Sequence, residues 1–129
     1  MEIIWGSLVL VAVLVLAVWH LSRKPKLSRN QLDKATKAIS RTKGLDPNHA
    51  LMDAHKAFVA AVGTLYPKDK KAGAAKLLNR VAKRFPNEKI VWQLHRQRNL
   101  AAHEPNYEIY AKTAQQARRE FVRALKGLR

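Results

Sequence analysis

Arg98, Asn99 and His103 lie close together in one apolar-patterned segment and are residue types that act on phosphate esters. A guanidinium holds a phosphate through two parallel N–H donors, and an imidazole accepts or donates a proton near neutral pH. At about 100° per helical residue, Asn99 and His103 share a face while Arg98 lies ~140° around the axis from His103. The Arg98 guanidinium and the His103 imidazole can contact one phosphate in three ways. The helix unwinds before Pro105, the Arg98 side chain reaches across the helix, or a second protomer supplies one of the two groups.

Two other interpretations of this segment carry no such chemistry. His95, Asn99 and His103 recur every four residues, but a metal site needs more histidine or carboxylate ligands than Glu104 supplies, so we predict no metal. A histidine near a helix C-terminus also interacts favourably with the helix dipole and often only caps the helix. The other histidines are predicted to be interfacial, on the surface and at the core edge, respectively: His20, His49 and His55.

Four amphipathic helices are predicted to position this segment. Asp46-Pro47 supplies an N-cap and a first-turn proline, and that helix ends near Tyr66-Pro67. The second follows Asp69 and ends at Pro86, the third runs from about Glu88 to His103 after an Asn87 cap, and Asn106 caps the last. Apolar residues recur every three to four positions and no β-type alternation is found. Because the turns are short, we predict an antiparallel four-helix bundle, all-α in class.

An apolar segment precedes this bundle. Ile3 to Leu21 contains no Asp, Glu, Lys or Arg, and as a helix it would span about 28 Å, close to the thickness of a bilayer core. Trp5 and Trp19 stand where interfacial aromatics anchor such helices. A cleaved signal peptide fits less well, because Met1-Glu2 is acidic and no small-x-small site follows. We predict a single transmembrane helix that stays attached.

Charge predicts the orientation and the class of partner. The residues after 22 hold all 25 basic side chains and eight of the nine acids, a formal charge of +17. The positive-inside rule therefore places the N-terminus outside and the C-terminal part in the cytoplasm, at the cell membrane. Anionic lipid or nucleic acid are the natural partners of such a surface. The length allows about one domain, and the absence of cysteine excludes thiolate chemistry and cysteine-bound zinc.

Residues 23–45 connect the two parts and leave three alternatives open. Ser28 and Gln31 form a capping box, and Leu32, Ala35 and Ile39 recur at helical spacing. This thin apolar stripe is surrounded by lysine and arginine, so the segment is a basic helix on the inner leaflet, a helix packed on the domain, or a solvated linker. Contact with anionic lipid through residues 23–43 is expected in the first case. We divide the chain into residues 1–22, 23–45 and 46–129.

The segment around Arg98 and His103 resembles the R-x4-6-H motif of the HEPN superfamily, including the polar Asn99 after the arginine. Leu77-Leu78, Trp92 and the long final helix are also similar to small HEPN-like proteins of bacteria. The resemblance covers residues 46–129 and not the apolar helix. It implies a helical domain that is often a homodimer, and its active members are metal-independent ribonucleases with the arginine and histidine in a cleft between protomers.

This resemblance implies a role for each motif residue and needs no cofactor. His103 is the general acid and base for attack by the ribose 2′-hydroxyl, Arg98 clamps the phosphate, and Asn99 orients the site. The expected RNA-binding residues are basic side chains of the second and third helices: Lys76, Arg80, Lys83, Arg84 and Arg96. A solvated basic face is the alternative for that set.

Two functional hypotheses follow from these expectations. The first is a membrane-anchored, cytoplasm-facing ribonuclease or RNA-binding protein that acts in defence or stress. The second is a non-catalytic helical adaptor that recruits proteins to the inner membrane surface. A membrane anchor is a departure from the pattern of HEPN toxins, which are usually soluble. Many HEPN-like domains are also non-catalytic binding modules.

Overall fold

Helices make up the regular structure of the chain. A computed structural model describes the backbone of residues 2–129 and the side chains of residues 3–20 and 23–129. Its α-helices are α1 Glu2–Ser22, α2 Arg29–Ser40, α3 Pro47–Gly63, α4 Ala74–Val81, α5 Glu88–His103 and α6 Ala111–Lys126. Short 3-10 turns occupy Pro67–Asp69 and Ala82–Arg84. The predicted all-α class is confirmed, and no strand occurs within residues 2–129.

Helix α1 is long and apolar enough to cross a membrane. Its Ile3–His20 segment has a mean hydropathy of 2.4, and none of it is buried against the rest of the protein. The guanidinium carbon of Arg23, just beyond the helix, lies 4.7 Å from the centre of the Trp19 ring. An aromatic ring and a cation in contact at a helix end are typical of the boundary between lipid and water.

Helix α3 is the central element of the bundle and packs on α2, α4, α5 and α6. Its Phe58 ring stacks on Phe121 of α6, with ring centres 4.6 Å apart and planes 12° from parallel. Phe85 completes the aromatic core at 5.7 Å from Phe58. These rings are almost fully buried, and each buries a large apolar area at the centre of the core.

Helix α2 belongs to this core. The capping box is present. The backbone N–H of Gln31 donates to Ser28 Oγ (3.1 Å), and the backbone N–H of Ser28 donates to Gln31 Oε1 (2.8 Å). Its apolar stripe, made of Leu32, Ala35 and Ile39, is buried against α3 and α6. Of the three alternatives for residues 23–45, the structure has the packed helix. A domain boundary at residue 46 therefore leaves a core-forming helix outside the bundle.

The segment between α1 and α2 is tied to the end of the chain. The Leu27 amide donates to the Leu128 carbonyl (2.7 Å), and Arg84 Nη1 donates to the Pro25 carbonyl (2.7 Å). The start of α2 therefore lies beside the end of α6, so the two helices are antiparallel. Gly127 is required at this junction, because a Cβ there would lie 2.8 Å from the Arg84 carbonyl oxygen.

The predicted cap of the last helix is wrong. Asn106 has a φ of +63° and α6 begins only at Ala111. The amide of Asn48 on α3 holds the intervening segment extended, donating to the Tyr107 carbonyl and accepting from the Ile109 amide, both at 2.8 Å. A side chain from a distant helix thus accepts from the Ile109 N–H, a backbone donor that an Asn106 cap was expected to satisfy.

The predicted helix between Asp69 and Pro86 is also shorter than expected. Gly73 has a φ of +92°, a conformation that ends the preceding turn, and α4 begins after it. The helix then tightens into the 3-10 turn at residues 82–84, which lets Phe85 point into the core.

Candidate functional site

The candidate site lies on α5, whose bounds Glu88–His103 match the predicted helix. Pro105 ends it, because the residue before a proline is driven out of the helical region and Glu104 is extended (φ −93°, ψ 120°). Asn87 does not cap the helix as predicted. Its side-chain amide instead donates to the carbonyl (2.9 Å) and the carboxylate (2.7 Å) of buried Glu120 on α6, which fixes the start of α5 to that helix.

Arg98 and Asn99 are in direct contact. Arg98 Nη1 donates to Asn99 Oδ1 at 3.1 Å, so the guanidinium lies toward the face that carries Asn99. Arg98 Nε is buried and has no hydrogen-bond partner among the described residues. The arginine is therefore partly desolvated and incompletely paired, which is the state in which a guanidinium binds an added anion most strongly.

A pair of histidines supports Asn99 from behind. Asn99 Nδ2 lies 3.3 Å from His95 Nε2, and His95 Nδ1 lies 2.8 Å from His55 Nε2 on α3. Because Asn99 Oδ1 accepts from Arg98, its Nδ2 is the donor to His95. A neutral His95 then carries its proton on Nδ1 and donates it to His55, which carries its own proton on Nδ1. The hydrogen bonds thus form one chain with a fixed direction from Arg98 to His55.

Both imidazoles of this pair are held neutral. Burial, together with the proximity of His95 and Arg98, lowers the pKa of His55 to about 3. Burial and the charge of Arg98 also lower the pKa of His95. Two groups that stay neutral at physiological pH are poor sources of protons, so we assign them a positioning role. The Phe121 ring meets His55 edge-on (5.9 Å between centres), which joins this role to the core.

This histidine pair predicts a pH-dependent stability. The pKa of His55 is lower in the folded chain than in the unfolded chain, where it is about 6.5. Below pH 6.5 the unfolded chain therefore binds a proton at His55 that the folded chain does not bind. The free energy of unfolding is then expected to fall as the pH drops below 6.5, by about 2 kcal/mol between pH 6.5 and 5. Urea unfolding of the full chain in lipid nanodiscs at several pH values measures this pH dependence of stability.

Two variants control the measurement. The His55→Gln variant should lose most of the pH dependence, whereas the exposed-histidine control His49→Gln should retain it. An unchanged pH dependence in His55→Gln would contradict the assignment.

His103 lies apart from this chain of hydrogen bonds. It is the last residue of α5 and is exposed, and no hydrogen bond or ion pair of His103 is found among the described residues. Asn99 precedes it by one turn on the same face. The structure therefore brings Arg98 and Asn99 together, and it leaves His103 on the surface beside Asn99 rather than bonded to Arg98.

Arg98 also lines a shallow cleft between α3, α4 and α5. Its volume is about 260 Å³, and its lining includes His55, Asp53 and Lys56. Among the described side chains, no three His, Asp or Glu residues converge as metal ligands.

The basic residues expected to bind RNA have different environments. Lys76, Lys83 and Arg96 are exposed. Arg80 pairs with Asp69 at 2.7 Å, and Arg84 is committed to the Pro25 and Leu128 carbonyls. Of this set, therefore, only Lys76, Lys83 and Arg96 have no hydrogen-bond or ion-pair partner among the described residues. Arg96 lies on the face of α5 that also carries Trp92, Asn99 and His103.

Sequence reasoning missed the contact between His55 and His95. It placed His55 at the core edge and considered His95 only as a metal ligand. The two residues are on different helices, and helical spacing relates residues only within one helix. A histidine on the apolar face of a helix that also carries alanine and phenylalanine is the one signal that the sequence offers, because such a group needs a buried partner.

Comparison of the chain with models of known protein families, with curated proteins and with solved structures finds no match.

Proposed function

We propose that this protein is a membrane-anchored, cytoplasm-facing ribonuclease of the HEPN type that binds RNA along α5. The observation that supports it best is the bond from Arg98 to Asn99. It directs the guanidinium toward the face that Asn99 shares with the exposed His103. Of the ways to bring Arg98 and His103 to one phosphate, this contact favours the reach of Arg98 across the helix.

The proposed reaction uses the ribose itself as the nucleophile. His103 removes the proton of the 2′-hydroxyl, the 2′-oxygen attacks phosphorus, and the P–O5′ bond breaks as the 5′-oxygen takes up a proton. The products are a 2′,3′-cyclic phosphate and a free 5′-hydroxyl. Arg98 holds the non-bridging oxygens as charge develops on them. The proposed donor of the proton to the 5′-oxygen is His103 of a second copy of the chain. The RNA would then bind in a cleft between the two protomers.

Buried neighbours support the positioning role of Asn99. Its amide is held between Arg98 and His95, and His95 is held by His55, which is 3% exposed. Side chains locked by a second layer of hydrogen bonds keep the geometry that catalysis requires. The half-buried Trp92 ring and the exposed Arg96 on the same face offer stacking and phosphate contact to a single strand.

The membrane anchor determines where this reaction takes place. We propose α1 as a single transmembrane span with its N-terminus outside, because the basic residues that follow it favour the cytoplasmic side. Arg23, Lys24 and Lys26 are exposed just after the helix and are the proposed contacts with anionic lipid headgroups. RNA near the inner leaflet is then the substrate.

The full chain in nanodiscs of uncharged phosphatidylcholine tests this function. Single-stranded RNA incubated with it in EDTA should yield fragments that end in 2′,3′-cyclic phosphate, identified by mass spectrometry. RNA with 2′-O-methyl groups should stay intact, because it has no nucleophile. Intact unmodified RNA together with a dimer on a sizing column would reject the nuclease and favour the non-catalytic adaptor.

A further inference from the structure

A second surface, on the side of α6 that faces α2, has a chemistry of its own. The two antiparallel helices enclose a groove of about 590 Å³ that shares no residue with the α5 site. We call it the α2/α6 groove, and its lining is Thr36, Ile39, Ser40, Lys43, Gln115, Arg118, Arg119, Val122, Arg123 and Lys126. A volume of this size accommodates several aliphatic side chains.

The walls of the α2/α6 groove are cationic and its floor is aliphatic. Five of the lining residues are lysine or arginine and none is acidic. The half-buried Val122 forms the floor between them, and Ile39, which is 1% exposed, adds little surface to it. The buried Glu120 lies 3.5 Å from Arg119 Nε and 3.8 Å from Arg123 Nη1. It offsets part of the charge of those two arginines, and it leaves the other three cations uncompensated.

The length of the groove argues for an extended ligand. From Gln115 to Lys126, α6 rises about 16 Å, which is three helical turns. Lys43 and Lys126 stand at opposite ends because α2 and α6 are antiparallel. One phosphate or one lipid headgroup would meet only a few of these cations, and a bilayer surface is too flat to fill a concave groove.

Charge and composition exclude two other occupants. A second copy of this chain has a net charge of +16 and only nine acidic residues, so it has few carboxylates to pair with the cationic walls, and the dimer proposed at α5 does not use this groove. A single-stranded nucleic acid binds by stacking its bases on aromatic rings, and no aromatic side chain lines the groove. Both arguments leave a ligand that is anionic at its edges and aliphatic at its centre.

We propose that the α2/α6 groove binds an acidic amphipathic helix of a partner protein. An aliphatic row at positions i, i+4, i+7 and i+11 would lie on Val122 and on the methylene stems of the lining lysines and arginines. Glutamates on either side of the row would face the charged ends of those lysines and arginines. Each exposed ion pair contributes little by itself, so several of them act together with the apolar contact, and reversing a charge replaces attraction with repulsion. This interaction is independent of RNA cleavage and would bring a partner to the inner leaflet.

A designed peptide provides the probe for this surface. It is a fluorescein-labelled 18-residue helix with leucine at i, i+4, i+7 and i+11 and glutamate beside them, titrated against the full chain in phosphatidylcholine nanodiscs. The double variant Lys43→Glu/Lys126→Glu changes exposed residues at the two ends and is expected to weaken binding at least 30-fold. The matched control Lys68→Glu/Lys71→Glu makes the same change in net charge at exposed residues outside the groove and should alter binding less than 3-fold.

The floor is tested separately. Val122→Thr keeps the shape of the side chain and replaces one methyl group with a hydroxyl. It should weaken binding of the peptide several-fold while leaving the circular dichroism spectrum unchanged. A scrambled peptide of the same composition should bind much more weakly than the amphipathic one. Equal binding of both peptides, equal effects of the two double variants, or full displacement by single-stranded RNA or phosphatidylserine vesicles would overturn the proposal.

Discussion

Replacing His103 with alanine is expected to lower the single-turnover rate of RNA cleavage by about 10²–10⁴-fold, the usual contribution of a general acid or base. His103 is exposed and makes no hydrogen bond among the described residues, so its loss should leave folding intact. The rate at saturating protein, measured on a labelled single strand in EDTA, isolates the chemical step from binding. Binding of the uncleavable 2′-O-methyl RNA should change little.

Two variants control this result. His49 is another exposed histidine, in the first turn of α3 and bonded to Asp46, and His49→Ala should keep the wild-type rate. Arg98→Lys retains the charge but loses the planar fork and its geometry toward Asn99, so it should reduce the rate as well. A His103→Ala protein that cleaves as fast as the wild type would remove this residue from the mechanism and leave Arg98 as a binding group only.

The hydrogen-bond chain explains why the candidate site depends on the core. Phe121 packs on His55, His55 bonds to His95, and His95 orients Asn99. A change at His55 should therefore act at a distance on the geometry of Arg98 and Asn99 as well as on stability. The site is thus positioned by α3 and α6 as much as by α5, although the motif itself lies on α5 alone.

Local signals in the sequence predict most of the helices. The Ser28–Gln31 capping box and the Asp46-Pro47 start are both present, and α5 has the predicted bounds. Each of these signals depends on residues a few positions apart, and the hydrogen bonds that they form are local. The all-α class follows from these elements without any knowledge of how they pack.

Contacts between distant residues account for what sequence analysis could not predict. Asn106 has the residue type of a cap, but the Asn48 side chain accepts from the Ile109 N–H, a backbone donor that the cap would have satisfied. Asn87 is likewise drawn away from its own helix by the buried Glu120. The contact between His55 and His95, which is central to the candidate site, joins α3 to α5 and leaves no periodic trace in either helix.

Removal of residues 1–45 is expected to abolish cooperative folding, whereas removal of residues 1–22 should leave a folded protein. The longer deletion takes away Leu27, Leu32 and Ile39, which are at most 7% exposed. Each fully buried aliphatic side chain contributes about 1.5–3 kcal/mol, so the three together approach the whole stability of a domain of about 100 residues. Circular dichroism of both proteins against temperature is the measurement. The 23–129 protein should melt in one transition and the 46–129 protein in none.

The single substitution Ile39→Ala in the 23–129 protein makes this comparison quantitative. Ile39 is 1% exposed, and the cavity left by its truncation should lower the free energy of unfolding by about 2–5 kcal/mol. The neighbouring Ser40→Ala on the exposed side of α2 is the matched control and should change it by less than about 0.5 kcal/mol. A 46–129 protein that melts cooperatively, or an Ile39→Ala protein as stable as Ser40→Ala, would show that α2 is dispensable. The bundle would then be the four helices that follow it, and the α2/α6 groove would lose one of its walls.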